Sequence, residues 1–248
     1  MLRELRAAGM AALQVPHALR RQGCGSAHYV AERNVHHPVL LVHGYAGTES
    51  VWAPLRRALA GAGFGYIVSL NYNSFAMDPG AVSAELTRQA RQALAATGAP
   101  RIHLIGHSLG GLIVRSAIAA DTGLSLQTGS AVTIASPHHG ISLARIAPGQ
   151  CARLMHPGHR CTQPGAGRPG PVRWLAYYSD GDRIVPPASA RLDDPRYGAL
   201  NLLIPGCGHL TICRDARLIG SLVSQLIRAE TCAGRAAPDG AGRDLVAA

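Results

Sequence analysis

The feature that most constrains the fold is a serine set between glycines, directly after an apolar run. The stretch RIHLIGHSLGGLIV contains the pattern Gly106, His107, Ser108, Leu109, Gly110. Glycine weakens both strands and helices, so its placement here indicates a turn too tight for side chains on either side of the serine. The order of strand, tight turn and helix predicts a serine hydroxyl exposed at the carboxyl end of a buried strand.

Short apolar runs and helical patterns alternate along the rest of the chain. Runs that are apolar throughout are typical of parallel strands buried on both faces, and their alternation with helices favours an α/β fold. We therefore predict a mostly parallel sheet of about six strands with helices on both faces. The six predicted strands are PVLLVHG, GYIVSLNY, RIHLIGH, SAVTIAS, VRWLAYYS and ALNLLIPG.

Amphipathic periodicity predicts the helices and their first residues. Asp78 before Pro79 is a typical helix start, and Thr48 or Ser50 is the expected cap of an earlier helix. The last predicted helix repeats leucines every fourth residue, which gives it an apolar stripe to pack on the sheet. The helical segments are residues 48–63, 78–98 and 214–230.

A serine hydroxyl becomes a good nucleophile only when a base removes its proton and an acid orients that base. In strand–turn–helix serine sites the acid and then the histidine follow the serine along the chain. After Ser108, SDGDRIVP and GCGHL each follow a predicted strand, which makes Asp182 the predicted acid and His209 the predicted base. The alternative acids are Asp180, Asp193 and Asp194. The competing histidines are His138, His139, His156 and His159.

An attacked carbonyl develops a negative charge that two preorganised amides can stabilise. One predicted donor is the amide of Leu109, at the start of the helix after the serine. The other is the amide of Tyr45, because Gly44 permits an unusual turn in VLLVHGYAG. His43 precedes the serine and is expected to brace this loop rather than to act as a second base.

These motifs resemble those of α/β-hydrolases of the bacterial lipase and esterase group. The matching segments are VHGYAG, LIGHSLGGL, IASPHHG, SDGDRIVP and GCGHL. The resemblance implies the α/β-hydrolase fold and a carboxylic ester hydrolase that works through an acyl-enzyme intermediate, without metal or cofactor. An acyltransferase, a thioesterase or a non-catalytic binding protein of the same fold are the alternatives. We expect the neighbouring His138 and His139 to be structural rather than metal ligands.

The resemblance also implies where substrate binds. The predicted substrate is a small ester or a lipid, with a lipid interface as a further partner. Apolar residues in loops at the strand ends are expected to contact it, although a place in the core is the alternative for each, above all for Trp52. These candidates are Trp52, Phe75, Met77, Ile141, Ile184 and Val185, with Tyr45 and Met155 beside them.

Composition divides the chain into three parts. Residues 1–35 predict an N-terminal leader helix and extension, residues 36–230 the α/β-hydrolase catalytic domain, and residues 231–248 a disordered tail. Within the domain, residues 141–171 are rich in glycine and proline and predict a short cap or loop insertion. The pairs Cys151–Cys161 and Cys207–Cys213 are close enough in sequence to staple single loops, or they remain free thiols.

Charge and hydropathy limit the partners. The formal charge is +10 and all 24 basic residues are arginine, but they are scattered without interleaved aromatics, so nucleic-acid binding is not expected. No apolar run approaches the roughly 18 residues of a membrane span. Arg6 and Gln14 interrupt the apolar centre of the leader, which favours a cytoplasmic location, with secretion as the alternative. We expect a monomer.

Overall fold

The computed structural model describes residues 24–30, 35–162, 171–232 and 244–246. The predicted leader helix lies outside these residues. Within them, no helix is both long and apolar enough to cross a membrane.

One sheet of eight strands organises the described chain. Its spatial order is β1-β3-β2-β4-β5-β6-β7-β8. Strand β1 runs antiparallel to β3, and every other neighbouring pair is parallel. The strands are β1 Cys24–Val30, β2 Val39–Val42, β3 Tyr66–Tyr72, β4 Ile102–His107, β5 Thr128–Ile134, β6 Arg173–Tyr178, β7 Leu200–Leu203 and β8 Asp244–Val246.

The six predicted strands are confirmed as β2 to β7, and the structure adds one strand at each edge of the sheet. The predicted domain bounds left both edge strands out. Strand β1 reads CGSAHYV, which mixes small and polar residues because an edge strand is not buried on both faces. Strand β8 has three residues, too few for an apolar pattern to stand out.

Helices cover both faces of the sheet, as the sequence predicts. Helices α2 and α3 pack with one core cluster, and α1 and α6 pack with the other. A 3-10 helix, Glu49–Trp52, leads directly into α1. The helices are α1 Ala53–Gly61, α2 Pro79–Thr97, α3 Leu109–Ala120, α4 Thr122–Gln127, α5 Pro187–Ala190 and α6 Ala216–Cys232.

The predicted leucine stripe of α6 is confirmed. Leu218, Leu222 and Leu226 are fully buried against the sheet. Full burial of a leucine side chain contributes about 1.5–3 kcal/mol. The C-terminal helix is therefore fixed to the sheet by hydrophobic packing over three turns.

The segment predicted as a cap is a set of short 3-10 turns. They span Ser142–Ile146, Cys151–Met155 and Arg160–Thr162. The Ile141 amide donates to the Met155 carbonyl at 2.9 Å, which closes the first two turns into a compact loop. Leu154 and Met155 are buried in the core below.

The four cysteines of the two pairs considered from the sequence do not form disulfides. Cys151, Cys161, Cys207 and Cys213 are all free thiols. Burial, together with a hydrogen bond to Asp215, raises the pKa of Cys207 to about 11, so this thiol stays protonated at neutral pH. Neither of the two loop-stapling bridges considered from the sequence is present.

Two helix starts that the sequence treats alike differ in the structure. The Asp78 carboxylate accepts hydrogen bonds from the amides of Gly80 and Ala81, at 2.8 and 3.1 Å. Thr48 precedes the 3-10 helix but makes no side-chain cap bond, and its hydroxyl lies 2.9 Å from that of Ser50 instead. The prediction that Thr48 or Ser50 caps this helix is wrong.

This contrast predicts the effect of two alanine substitutions. Asp78→Ala removes a cap that satisfies two amides, so it should lower the free energy of unfolding by about 1 kcal/mol. Thr48→Ala removes no cap bond and should change it by less than about 0.5 kcal/mol. Urea denaturation of both variants measures the difference, and equal losses would contradict this account of α2.

Candidate active site

Ser108 lies in a backbone conformation that few side chains adopt. It joins β4 to α3 with φ 53° and ψ −121°. A Cβ atom on Gly106 would lie 2.4 Å from the Gly110 carbonyl carbon, and one on Gly110 would lie 2.2 Å from the Val42 carbonyl oxygen. Real Cβ atoms do not approach backbone so closely, so only glycine fits at either position. The turn therefore holds Ser108 at the carboxyl end of β4.

Three side chains from three strand ends form a hydrogen-bonded chain. His209 Nε2 lies 3.0 Å from Ser108 Oγ. On the other side of the ring, Nδ1 lies 2.7 Å from Asp182 Oδ2. Asp182 follows β6, His209 follows β7, and all three residues are about 5% exposed. Parallel strands present their carboxyl ends on one edge, which is why residues so far apart in sequence meet here.

The carboxylate of Asp182 fixes the protonation of the imidazole. Its Oδ1 accepts the amides of Ile184 and Val185, both at 2.8 Å. Burial raises the pKa of Asp182, but the hydrogen bond and charge of His209 together with these amides lower it more, so the pKa lies below its usual value. An ionised carboxylate only accepts, so Nδ1 of His209 carries the proton and Nε2 offers its lone pair to the serine hydroxyl.

Asp180, the nearest alternative acid, has another role. Its Oδ1 accepts the amide of Gly206 at 2.6 Å, which ties the loop after β6 to the loop after β7. Close packing of glycines supports the same junction, since a Cβ on Gly181 would lie 2.7 Å from the Gly206 carbonyl carbon. Asp180 and Gly181 thus align the two loops that carry the acid and the histidine.

His107 supports the histidine loop from below. Its Nε2 lies 3.0 Å from the His209 carbonyl oxygen, to which it donates. The two rings lie 4.9 Å apart. Burial lowers the pKa of His107 to about 3, and the neighbouring His209 contributes in the same direction. A neutral His107 therefore holds the His209 backbone at neutral pH.

The loop after β2 passes directly over the serine. A Cβ on Gly44 would lie 3.1 Å from Ser108 Cβ. His43 Nδ1 donates to the Gly44 carbonyl at 2.8 Å, and its ring stacks on Tyr72 at 4.4 Å. These contacts give His43 the bracing position expected from the sequence. The Tyr45 hydroxyl donates to the Pro148 carbonyl at 2.5 Å, so the loop also touches the short 3-10 turns.

The predicted substrate contacts fall into two groups. Phe75, Met77 and Ile184 are half-buried in loops at the carboxyl edge of the sheet, where Phe75 packs edge-on against Tyr45 at 5.0 Å. Ile141 is buried beside Met155 at the base of the short turns. These positions remain candidates for contacting a substrate.

Two of the predicted contacts are wrong. Trp52 and Val185 are both fully buried. Trp52 belongs to the core cluster under α1 and α6, and Val185 to the cluster on the opposite face of the sheet. A side chain without exposed surface cannot meet a ligand unless the core opens, so both residues support packing.

Other residues near the site were not found by reading the sequence. A Cβ on Gly111 would lie 2.0 Å from Ser136 Oγ, so the second glycine of the doublet is also required. Behind it, His138 Nδ1 lies 3.0 Å from Arg115 Nη1, and His138 Nε2 lies 2.9 Å from Thr133 Oγ1. The guanidinium only donates, so His138 accepts through Nδ1 and donates through Nε2. Because both ring nitrogens are hydrogen-bonded, His138 is structural. In the sequence, only the glycine doublet indicated close packing at this place.

The order and direction of the strands and the helices on both faces are those of the α/β-hydrolase fold. A family model described as alpha/beta hydrolase fold matches residues 37–150. The structure is similar to that of a Bacillus licheniformis lipase in its mature form, with a TM-score of 0.70 and 16% identity over 82% of this chain and 97% of that chain. The chain therefore has the α/β-hydrolase fold.

The curated relatives of the chain include two lipases. The chain is 37% identical over 124 residues to a triacylglycerol lipase of Pseudarthrobacter phenanthrenivorans. This alignment covers 47% of this chain and 37% of the relative. A triacylglycerol lipase of Burkholderia plantarii matches equally well, over 47% of this chain and 33% of the relative. The chain thus spans about a third of the length of these relatives. The resemblance to lipases and esterases predicted from the motifs is confirmed.

The buried neutral His107 predicts how stability depends on pH. The unfolded chain binds a proton at this histidine below about pH 6.5, whereas the folded chain does not until about pH 3. Acid therefore favours the unfolded state, by up to about 1.4 kcal/mol per pH unit for one such group. His107→Gln keeps a donor amide and cannot titrate, so its unfolding free energy should fall less steeply from pH 7 to pH 4.5.

Urea denaturation at several pH values in this range measures the slope. His28→Gln is the matched control, because His28 is exposed on β1. It should retain the wild-type slope. An unchanged slope in His107→Gln would show that this histidine is already protonated in the folded protein.

Proposed function

We propose that this protein is a carboxylic ester hydrolase that uses Ser108, His209 and Asp182 as a catalytic triad. The observation that carries the proposal is their continuous hydrogen-bonded chain, 3.0 Å from serine to histidine and 2.7 Å from histidine to aspartate. A solvated loop serine would have no reason to face an imidazole held in one tautomer. The triacylglycerol lipases among the relatives support the same class of reaction.

In the first step Ser108 attacks the ester carbonyl. His209 Nε2 takes the hydroxyl proton as Oγ bonds to the carbonyl carbon, and the ionised Asp182 stabilises the imidazolium that results. The carbonyl oxygen becomes an oxyanion. His209 then gives its proton to the leaving alcohol as the carbon–oxygen ester bond breaks, which leaves the acyl group on Ser108.

The amides of Tyr45 and Leu109 are the proposed oxyanion donors. Leu109 is the first residue of α3, where helix amides have no partner within the helix and the dipole favours negative charge. The Tyr45 amide lies in the loop that crosses Ser108. Loss of one such donor typically costs about 3 kcal/mol of transition-state stabilisation.

Water completes the cycle without any further group. His209 removes a proton from the water as it attacks the acyl carbonyl, and returns it to Ser108 Oγ as the carboxylic acid leaves. His107 and Asp180 are positioning residues in this scheme. They hold the backbone of the histidine loop and touch neither substrate nor the reacting atoms.

Lipid esters are the proposed substrate class. Leu143 and Ile146, in the short turns that close toward Tyr45, are 55% and 81% exposed. Exposed apolar side chains beside an active site are suited to contact with a lipid surface. The half-buried Phe75, Met77 and Ile184 are proposed to line the acyl-chain site.

Replacement of the serine tests the reaction. Ser108→Ala should lose at least about 10³-fold in the hydrolysis of p-nitrophenyl esters from acetate to palmitate, since removal of the nucleophile leaves only binding effects. The exposed Ser50→Ala is the control and should retain wild-type rates. A preference for long acyl chains and for emulsified triglyceride would indicate a lipase. Hydrolysis of short-chain esters without activity on long-chain esters or triglyceride would indicate a short-chain esterase.

Labelling separates a different acyl acceptor from an inactive fold. A fluorophosphonate should modify the wild type at Ser108 and leave Ser108→Ala unlabelled. Labelling without ester hydrolysis would contradict the hydrolase proposal and favour an acyltransferase or a thioesterase. Absence of both labelling and hydrolysis would favour a non-catalytic binding protein.

The choice between the two neighbouring aspartates gives a second test. Asp182→Asn should lower kcat by about 10³–10⁴-fold, because an amide in place of the carboxylate favours the wrong imidazole tautomer. Asp180→Asn keeps an oxygen that can accept the Gly206 amide and should change kcat little. The same ester assay measures both variants, and a larger loss in Asp180→Asn would reverse the assignment of the acid.

A further inference from the structure

A second cluster of titratable side chains lies at the opposite edge of the sheet. His36 and His37 precede β2, His103 is the second residue of β4, and Glu230 lies near the end of α6. Along β4, His103 is about 16 Å from Ser108 at the usual rise of a strand. The His103 and Glu230 side chains are 1% and 13% exposed. The proposed ester hydrolysis does not use any of these groups.

Three of the four side chains place donor atoms around one point. His37 Nδ1 lies 3.6 Å and His103 Nε2 3.1 Å from Glu230 Oε1. The ligand atoms of these three residues all lie within 4.8 Å of one another. Ligands at about 2.0–2.1 Å from a tetrahedral zinc ion are about 3.3 Å apart. The distances of the two histidine nitrogens from Glu230 Oε1 are close to this value. The two histidine nitrogens, within 4.8 Å of each other, would move closer together on binding.

Two ring nitrogens of the cluster are buried without a hydrogen-bond partner among the described residues, His37 Nδ1 and His103 Nδ1. A buried nitrogen without a partner is unfavourable. His37 Nδ1 is the one that faces Glu230 Oε1, at 3.6 Å. A metal ion would occupy the lone pair of His37 Nδ1. His103 would coordinate through Nε2 with its proton on Nδ1, so the ion replaces the hydrogen bond between Nε2 and Glu230 Oε1.

The carboxylate is already oriented for coordination. His36 Nδ1 lies 2.6 Å from Glu230 Oε2, and the ring of His36 stacks on Phe64 at 4.4 Å. The His37 amide donates to Oε1 at 2.8 Å. One oxygen is thus fixed by His36, and the other faces His37 and His103. Partners of this kind orient metal-binding carboxylates and are part of most metal sites.

The chemistry of the donor set suits a divalent transition-metal ion. Imidazole nitrogens with one carboxylate are a donor set typical of zinc and neighbouring transition metals, whereas magnesium and calcium prefer oxygen alone.

We propose that His37, His103 and Glu230 bind one divalent transition-metal ion of the zinc class, with a fourth position left for water. Such an ion links the segment before β2, the amino end of β4 and the last turn of α6. Its role is to fix the C-terminal helix to the sheet, remote from Ser108. The expectation of no metal, based on the sequence, weighed only His138 and His139.

Calorimetric titration with Zn²⁺ tests the site in the full-length protein after treatment with chelator. The wild type should bind one equivalent that His37→Asn binds at least about tenfold more weakly. Zinc should also raise the thermal unfolding midpoint of the wild type and not that of His37→Asn. Glu230→Gln should behave like His37→Asn. His28→Asn, at an exposed position, and Glu85→Gln, at a half-buried position in α2, are the matched controls and should bind as the wild type does.

A spectroscopic readout keeps the test independent of folding defects. Cobalt bound to two imidazoles and a carboxylate should give the strong visible absorption of a tetrahedral site, and the absorption should disappear in His37→Asn. If Glu230→Gln fails to fold, His37→Asn decides alone, since His37 is half-buried and makes no side-chain hydrogen bond there. Equal zinc affinity in the wild type and His37→Asn, or no binding by the wild type, would overturn the proposal.

Discussion

The close approach of backbone at Gly106 and Gly110 is the constraint on which the site depends. It brings the start of α3 to within van der Waals contact of the carboxyl end of β2, since a methyl group on Gly110 would overlap the Val42 carbonyl. The strained conformation of Ser108 is imposed by this packing, because the strand before it and the helix after it are both held in the core. The loop with Gly44 lies over the serine at the same place, since a Cβ on Gly44 would be 3.1 Å from Ser108 Cβ.

The rest of the site depends on hydrogen bonds that link loops rather than elements. His107 donates to the backbone of His209, and Asp180 accepts from the backbone of Gly206. Both bonds align the loop after β7 with its neighbours. Because Ser108, Asp182 and His209 are nearly excluded from water, each bond between them is stronger than it would be at the surface. The placement of the histidine loop therefore depends on His107 and Asp180 as well as on the three hydrogen-bonded side chains.

Much of this arrangement could be predicted from the sequence, and the reasons are specific. Strands β2 to β7 are apolar throughout because both faces are covered, and that pattern is local. Ser108, Asp182 and His209 each follow such a strand, so their order along the chain identified them as partners before their distances were known. Strands β1 and β8 were not predicted. Strand β1 lies at an edge and needs no apolar run, and β8 has only three residues, too few to show a pattern.

The wrong assignments share another cause. Trp52 and Val185 were expected at the mouth of the site because they lie near strand ends, but position along the chain does not tell which way a side chain points. The cluster of His37, His103 and Glu230 was not predicted because position along the chain does not show which distant residues meet. Its members lie far apart in sequence and meet only when α6 packs on the sheet, so no spacing of residues in the sequence indicates the cluster.

Strand β4 therefore carries two different kinds of polar group at its two ends. The carboxyl end presents Ser108 in strained geometry, within reach of the His209 imidazole. The amino end presents His103 to a carboxylate on the last helix. A metal ion at the amino end would stabilise the packing of α6 and, with it, the strand that positions the serine. Strained backbone persists only where the surrounding packing holds it, and β4 is held between β2 and β5.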